Sequence, residues 1–222
     1  DFKMARKYVL HNQSQDLHLV SKEIIRELGL PLFVKPNAMG SSVGIHKVKD
    51  SQELVNAIKD AGCYDETVIV EEAVIGREIE LAVLENLQYG AKPLVSIAGE
   101  IKVNHRDGFY SYIAKYLESQ ETDLIIPAQL SDNLLVRLQK SAAYIFTKLK
   151  CSGLARIDFF VNDVTQEIYF NEANTLPGFT TISMYPKLWQ HSGIEYSDLL
   201  NQLIQLAENR KARRKILVTD YK

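Results

Sequence analysis

The sequence lacks the features that mark several large classes of protein. It has two cysteines in 222 residues, Cys63 and Cys151. They lie far apart and without metal-ligand spacing, which excludes a disulfide framework or a cysteine zinc site. A reducing, cytoplasmic home follows, with both thiols expected as small buried hydrophobes. There is no positive excess: 26 Lys and Arg face 28 Asp and Glu, a formal charge of −2. Binding nucleic acid by general phosphate neutralisation needs such an excess, so no nucleic-acid partner is expected. The one concentrated basic stretch, Arg210 to Lys215, reads as a solvated helix terminus. No apolar run approaches the roughly 20 residues of a membrane span, so no membrane partner is expected either. The sequence opens at Asp1 without Met or a signal-like region, as a fragment of a longer chain would.

What is present is an alternation of element types without repeats. Lys7 to Leu10 and Leu32 to Lys35 read as strands, and Leu19 to Leu28 as a helix stopped at Gly29 and Pro31. Asp50 with Glu53 has the form of a capping box opening a helix. Thr67 to Glu72 and Arg77 to Leu84 are expected as neighbouring strands, and Pro93 to Ile97 with Glu100 to Val103 as a pair turning at Gly99. The polar and aromatic stretch 104–121 reads as a long loop of the lid or binding kind. Ser131 to Leu149 is the clearest amphipathic helix. Strands Leu154 to Val161 and Glu167 to Asn171 follow, and Ser197 to Glu208 closes the chain as a helix. The fold class is α+β: mainly antiparallel sheets flanked by helices.

A hairpin centred on Thr165 sets Asp158 opposite Glu172 and Arg156 opposite Asn174, all on one face, because strand side chains repeat every two residues. Ala155, Ile157, Phe159 and Val161 take the other. Two directly opposed carboxylates repel by up to roughly 1 kcal/mol. Something is therefore expected between them, either a hard cation or, on a solvated rim, Arg156 bridging both acids. Carboxylate and amide oxygens without His or Cys favour magnesium or manganese.

The segment from Lys35 to Gly44 follows a strand but has neither Walker nor dinucleotide-fingerprint spacing. Its glycines still let the backbone approach an anion, Ser41 and Ser42 offer donors, and Lys35 a point charge. A phosphate loop, a metal hairpin and a lid bearing Lys115 in one short chain describe a nucleotide site.

The segments FVKPNAMGSSVGI (33–45), VIVEEAVIGREIELAVLEN (68–86), FYSYIAKYL (109–117), GLARIDFF (153–160) and IYFNEANTLPGFTTISMYPKLW (168–189) resemble the ATP-grasp family, and within it the D-alanine–D-alanine ligases. The resemblance covers most of the chain from about residue 30. It implies a central lobe over 1–103 that includes the phosphate loop. It also implies a C-terminal lobe over 104–222 with a mobile active-site loop at 104–121, the family's N-terminal substrate lobe being absent. It gives Lys35 and Lys115 to the nucleotide phosphates, and Gly40, Ser41, Ser42 and Val43 to the loop that covers them. Glu71, Glu72, Ala73 and Val74 read the adenine edge, Glu78 the ribose, and Phe160 floors the adenine pocket. Asp158, Glu172 and Asn174 match the magnesium or manganese ligands, with two ions expected. Arg156 faces the developing oxyanion, and Ser41 hydrogen-bonds to Tyr116 among the catalytic residues. Gly178 and Ser183 bind the second D-alanine.

The implied activity is ATP-dependent joining of two D-alanines through a D-alanyl phosphate, for peptidoglycan synthesis. The protein's part is largely positioning and charge neutralisation, under a lid that keeps water from the acyl phosphate. Tyr116 favours an amine nucleophile. D-serine or D-lactate as acceptor, and a nucleotide-binding module inactive without an N-terminal lobe, stand as alternatives, and a homodimer is left open.

Overall fold

The computed structural model describes residues 2–11, 16–40, 42–103, 122–180 and 182–217. In chain order the elements are β1 (Lys3–Met4), β2 (Lys7–His11), α1 (Leu17–Leu28), β3 (Leu32–Pro36), β4 (His46–Val48), α2 (Ser51–Ala61), β5 (Thr67–Glu72), β6 (Arg77–Leu84), β7 (Leu94–Val103), β8 (Thr122–Ile125), α3 (Asp132–Lys148), β9 (Leu154–Val161), β10 (Ile168–Asn174), α4 (Met184–His191) and α5 (Tyr196–Lys215). Two compact units divide at Ile75 and Gly76. No described helix is long and apolar enough to cross a membrane.

The earlier unit is an antiparallel sheet in the order β2-β5-β3-β4. Helices α1 and α2 supply Val20, Ile24, Leu54 and Ile58 to a core with Leu32, Val34, Val68 and Val70. Sequence marks both helix starts. Asp16 caps α1 by accepting from the His18 and Leu19 amides. Asp50 caps α2 by accepting from Gln52 N at 2.9 Å and Glu53 N at 2.8 Å. Glu53 reaches back not to Asp50, as a capping box does, but to Lys49 N at 2.7 Å.

The later unit carries a six-stranded sheet in the order β1-β10-β9-β6-β7-β8, in which β10, β9, β6 and β7 pair antiparallel. Helix α3 covers one face: Leu134, Leu138, Ala142, Ile145 and Phe146 pack with Ile79, Leu81, Ala155, Ile157 and Phe159. The alternation of β9 produces this directly, since Ala155, Ile157, Phe159 and Val161 are all buried.

Three expectations change. β5 and β6 are not neighbours: both edges of β5 are occupied, by β2 and β3, and β6 pairs with β7 and β9 instead. Accordingly β6, and β7 as far as Ile101, group with the later strands, while Met4–Ile75 belongs to the other unit. The segment around Gly99 is one continuous strand, not a turn. A Cβ on Gly99 would lie 2.7 Å from Met184 Sδ and 3.0 Å from Leu188 Cδ2, so the glycine makes room for α4. Finally, Cys63 is exposed, and burial pushes the partly covered Cys151 thiol above its usual range.

Gly76 is tighter than Gly99, because a Cβ there would stand 2.8 Å from the Val161 carbonyl oxygen and 3.0 Å from its nitrogen, both backbone atoms. Overpacking against fixed backbone costs about 2–3 kcal/mol, and against a yielding Met side chain about 1 kcal/mol or less. Urea unfolding of Gly76→Ala and Gly99→Ala is expected to show that order; equal losses would contradict it.

Candidate functional site

The site is built on the β9–β10 hairpin. Its turn is set by Asn162, whose side-chain oxygen accepts from Val164 N and Thr165 N at 2.9 Å each. From the turn the register runs Ile168 opposite Val161, Tyr169 opposite Phe160 and Phe170 opposite Phe159. Continued unbroken, it would put Glu172 and Asn174 on the apolar face. Instead it shifts by one residue between Phe170 and Glu172, which sets Glu172 opposite Asp158 and Asn174 opposite Arg156. A bulge of this kind flips every side chain beyond it to the other face. Phe170 stays with the core, its ring edge-on to Phe159 at 6.3 Å between centroids, and Ala173 packs there too.

The polar face that results is dense. Arg156 donates from Nε to Asp158 Oδ1 at 2.8 Å and from Nη2 to Oδ2 at 2.7 Å. The Asn174 amide nitrogen donates to Asp158 Oδ2 and to Glu172 Oε1, 2.9 Å each. Asp158 is 1% exposed, so this is no solvated rim. Burial works against the Arg156 charge, but Asp158, then Glu80 and Glu172, hold its pKa above the ordinary arginine value. It is a permanent cation.

Sequence reasoning missed Glu80. The β6–β9 register places it directly opposite Asp158 and places Glu78 opposite Phe160. Glu80 is fully buried, with Oε1 3.0 Å from Arg156 Nη2. The signal was available: Glu78 and Glu80 alternate in a strand that is otherwise apolar after Arg77. One sheet face thus gathers Glu78, Glu80, Phe160, Asp158, Arg156, Glu172 and Asn174.

Gly178 and Ser183 also meet, since a Cβ on Gly178 would be 2.9 Å from Ser183 Oγ. Ser183 stands at the N-cap of α4 without capping it, and its Oγ accepts instead from Thr180 N at 3.0 Å.

In the earlier unit, Lys35 and Glu71 share the helix-free sheet face, and Lys35 Nζ lies 2.6 Å from Glu71 Oε2. The Glu72 carboxylate is tied to Arg6, accepting from its backbone N at 2.9 Å and its Nε at 2.7 Å. Ala73 N donates to Pro31 O at 3.1 Å, and Val74 follows it out of β5. After Gly40, Ser42 takes a left-handed φ of 59° and Val43 N returns to Gly40 O at 3.2 Å. Such a φ in a non-glycine residue is a local strain of about 1 kcal/mol or more. Ser41, Lys115 and Tyr116 lie outside the described residues, as does the 104–121 loop.

The donor set fits a divalent cation. No described group of three His, Cys, Asp or Glu is arranged to hold a metal, but the third oxygen here is an amide. The Asn174 NH2 now bridges two carboxylates, and rotating the amide presents Oδ1 to the same place. All-oxygen donors of this kind suit magnesium or manganese. Glu172→Gln is therefore expected to leave metal-free stability within about 1 kcal/mol, since it removes a like-charge opposition. It is also expected to abolish the upward melting shift given by Mn2+. A retained shift would exclude Glu172 as a ligand.

Comparison with known proteins adds an independent line. The profile described as "D-ala D-ala ligase C-terminus" matches residues 1–205. The chain is 59% identical over 221 residues to a D-alanine–D-alanine ligase of Legionella pneumophila (strain Lens), covering 99% of this chain and 61% of that relative. With that of Oceanobacillus iheyensis it shares 47% over 212 residues, covering 95% and 56%. The structure of the D-alanine–D-alanine ligase from Coxiella burnetii matches with TM-score 0.80 at 34% identity, over 96% of this chain and 54% of that one. VanG D-Ala:D-Ser ligase from Enterococcus faecalis matches with TM-score 0.78 at 36% identity, over 92% and 57%. The chain thus spans about three-fifths of the curated relatives' length, and its α+β architecture is that of the ATP-grasp fold.

Proposed function

Because this chain belongs to the D-Ala–D-Ala ligase C-terminal family, we propose that it is the nucleotide- and metal-binding part of an enzyme joining two D-alanines at the expense of ATP, in the cytoplasm and for peptidoglycan. The observation that carries this reading is the hairpin register, which puts Asp158, Glu172, Asn174 and Arg156 on one face.

Peptide formation in water requires an activated carboxylate. Transfer of the γ-phosphoryl to the first D-alanine gives an acyl phosphate, and the amine of the second displaces phosphate. Asp158, Glu172 and Asn174 would hold the divalent cations, magnesium or manganese, which supply charge neutralisation on the phosphates when bound. Arg156, charged at any working pH, faces the oxyanion that develops at the attacked carbonyl. Lys35 meets the phosphates. In the structure its charge is matched by Glu71 at 2.6 Å, so binding a nucleotide exchanges one anion for another. The turn at Gly40, Ser42 and Val43, with Ser41, covers the phosphates, and Glu71 to Val74 read adenine. Glu78 takes the ribose beside Phe160, its cross-strand partner. Gly178 and Ser183 receive the second D-alanine. Lys115 and Tyr116 complete the site from the 104–121 loop.

A second acceptor is favoured by one observation: the likeness to VanG, a D-Ala:D-Ser ligase. The test is ADP release by the full natural chain with a panel of acceptors. D-alanine alone is expected to support release, with D-serine at least about tenfold weaker in kcat/KM, a difference of about 1.4 kcal/mol. Equal or better use of D-serine would establish the second reading, and no acceptor-dependent release would overturn both.

A further inference from the structure

Glu80 is the one buried carboxylate of the site face to which the reading above gives no task. It occupies a row that crosses four strands: Gly99 on β7, Glu80 on β6, Asp158 on β9 and Glu172 on β10. Three acids in one row repel. The apolar side of the row is closed, because the space above Gly99 is taken by Met184 and Leu188. Glu80 is fully buried beside that wall, where a carboxylate needs a matched cation. Arg156 supplies it. That residue sits one row away, opposite Ala82 on β6, and its Nη2 lies 3.0 Å from Glu80 Oε1 and 2.7 Å from Asp158 Oδ2.

The two carboxylates are not equivalent partners. Asp158 is claimed twice, by both donor atoms of the Arg156 fork and by the cation it is proposed to bind. Oxygen lone pairs turned to a metal are no longer free for a guanidinium, so loading the site loosens the Asp158 half of the grip. Glu80 lies on the far side of Asp158 from Glu172 and Asn174. It keeps its hold whichever way Asp158 turns.

We propose that Glu80 is a positioning residue: it anchors the Arg156 guanidinium from β6, so that Arg156 keeps its place toward the reacting carbonyl when Asp158 turns to the metal. This deepens the ligase reading and rests on it for the reaction, but the anchoring itself is a property of this chain.

The anchoring is read first without catalysis. In proton–nitrogen spectra of this chain, the Arg156 Nη–H signals, whose Nη2 lies 3.0 Å from Glu80 Oε1, are expected to exchange slowly with solvent, and about tenfold or more faster in Glu80→Gln. Unchanged exchange overturns the proposal whether or not the chain is part of a ligase. The reaction is read second, in the full natural chain. Glu80→Gln is expected to lower kcat about tenfold or more while leaving KM for ATP within about threefold, as loss of a transition-state interaction does. Glu80→Asp, which keeps the charge at shorter reach, recovers part of kcat. In an Arg156→Gln background, Glu80→Gln adds little further loss, because the two act as a unit. Multiplying losses, or a full-length Glu80→Gln enzyme with unchanged kcat, would show that Glu80 only supports the fold. If the unsubstituted full chain releases no ADP with any acceptor, the ligase reading fails by itself, and the exchange measurement still decides the anchoring.

Discussion

Everything at the site depends on one extra residue in β10. The turn at Asn162 fixes a register that pairs Phe170 with Phe159 and sends alternate residues of β10 into the core. If that register persisted, Glu172 and Asn174 would point at α3 and its apolar cluster. Burying a carboxylate there unpaired costs several kcal/mol. The shift after Phe170 lets the strand serve both needs, apolar near the turn and polar beyond it. The bulge is thus a device for changing faces.

Once the faces are set, the electrostatics follow from a conflict. Three acids in a row across β6, β9 and β10 destabilise the sheet, and the chain answers with the Arg156 guanidinium and the Asn174 amide. Breaking a buried pair of this kind costs about 3–5 kcal/mol, whereas the intact pair contributes little net stability. The cluster is therefore not a device that holds the fold together, and the cation proposed for this face gives the cost a purpose. The same logic applies to Lys35 and Glu71 in the other unit, whose pairing keeps a lone charge from facing a half-covered sheet.

Much of this was legible in the sequence. Alternation in Ala155, Ile157, Phe159 and Val161 named the buried face, and the Asp158–Glu172 and Arg156–Asn174 pairs followed from hairpin counting. The pairs came out although the counting assumed a continuous register, because a one-residue bulge and a turn offset by one cancel. Sequence gave no account of which strands neighbour β6, because pairing between distant segments leaves no local trace. That is why Glu80, opposite Asp158, was passed over, and why β5 and β6 were set side by side. Gly99 was misread for a related reason: a glycine that admits a helix from elsewhere in the chain looks, locally, like a glycine that turns.

The face made by β9 and β10 beyond the bulge is proposed to bind a divalent cation. The most direct measurement is paramagnetic broadening by Mn2+, with ATP present, in proton–nitrogen spectra of this chain. Substoichiometric Mn2+ is expected to bleach first the backbone signals of Arg156 to Phe160 and of Glu172 to Asn174. Signals of the α3 face and of the basic end of α5 should remain. Broadening centred elsewhere, with the hairpin signals intact, would contradict it.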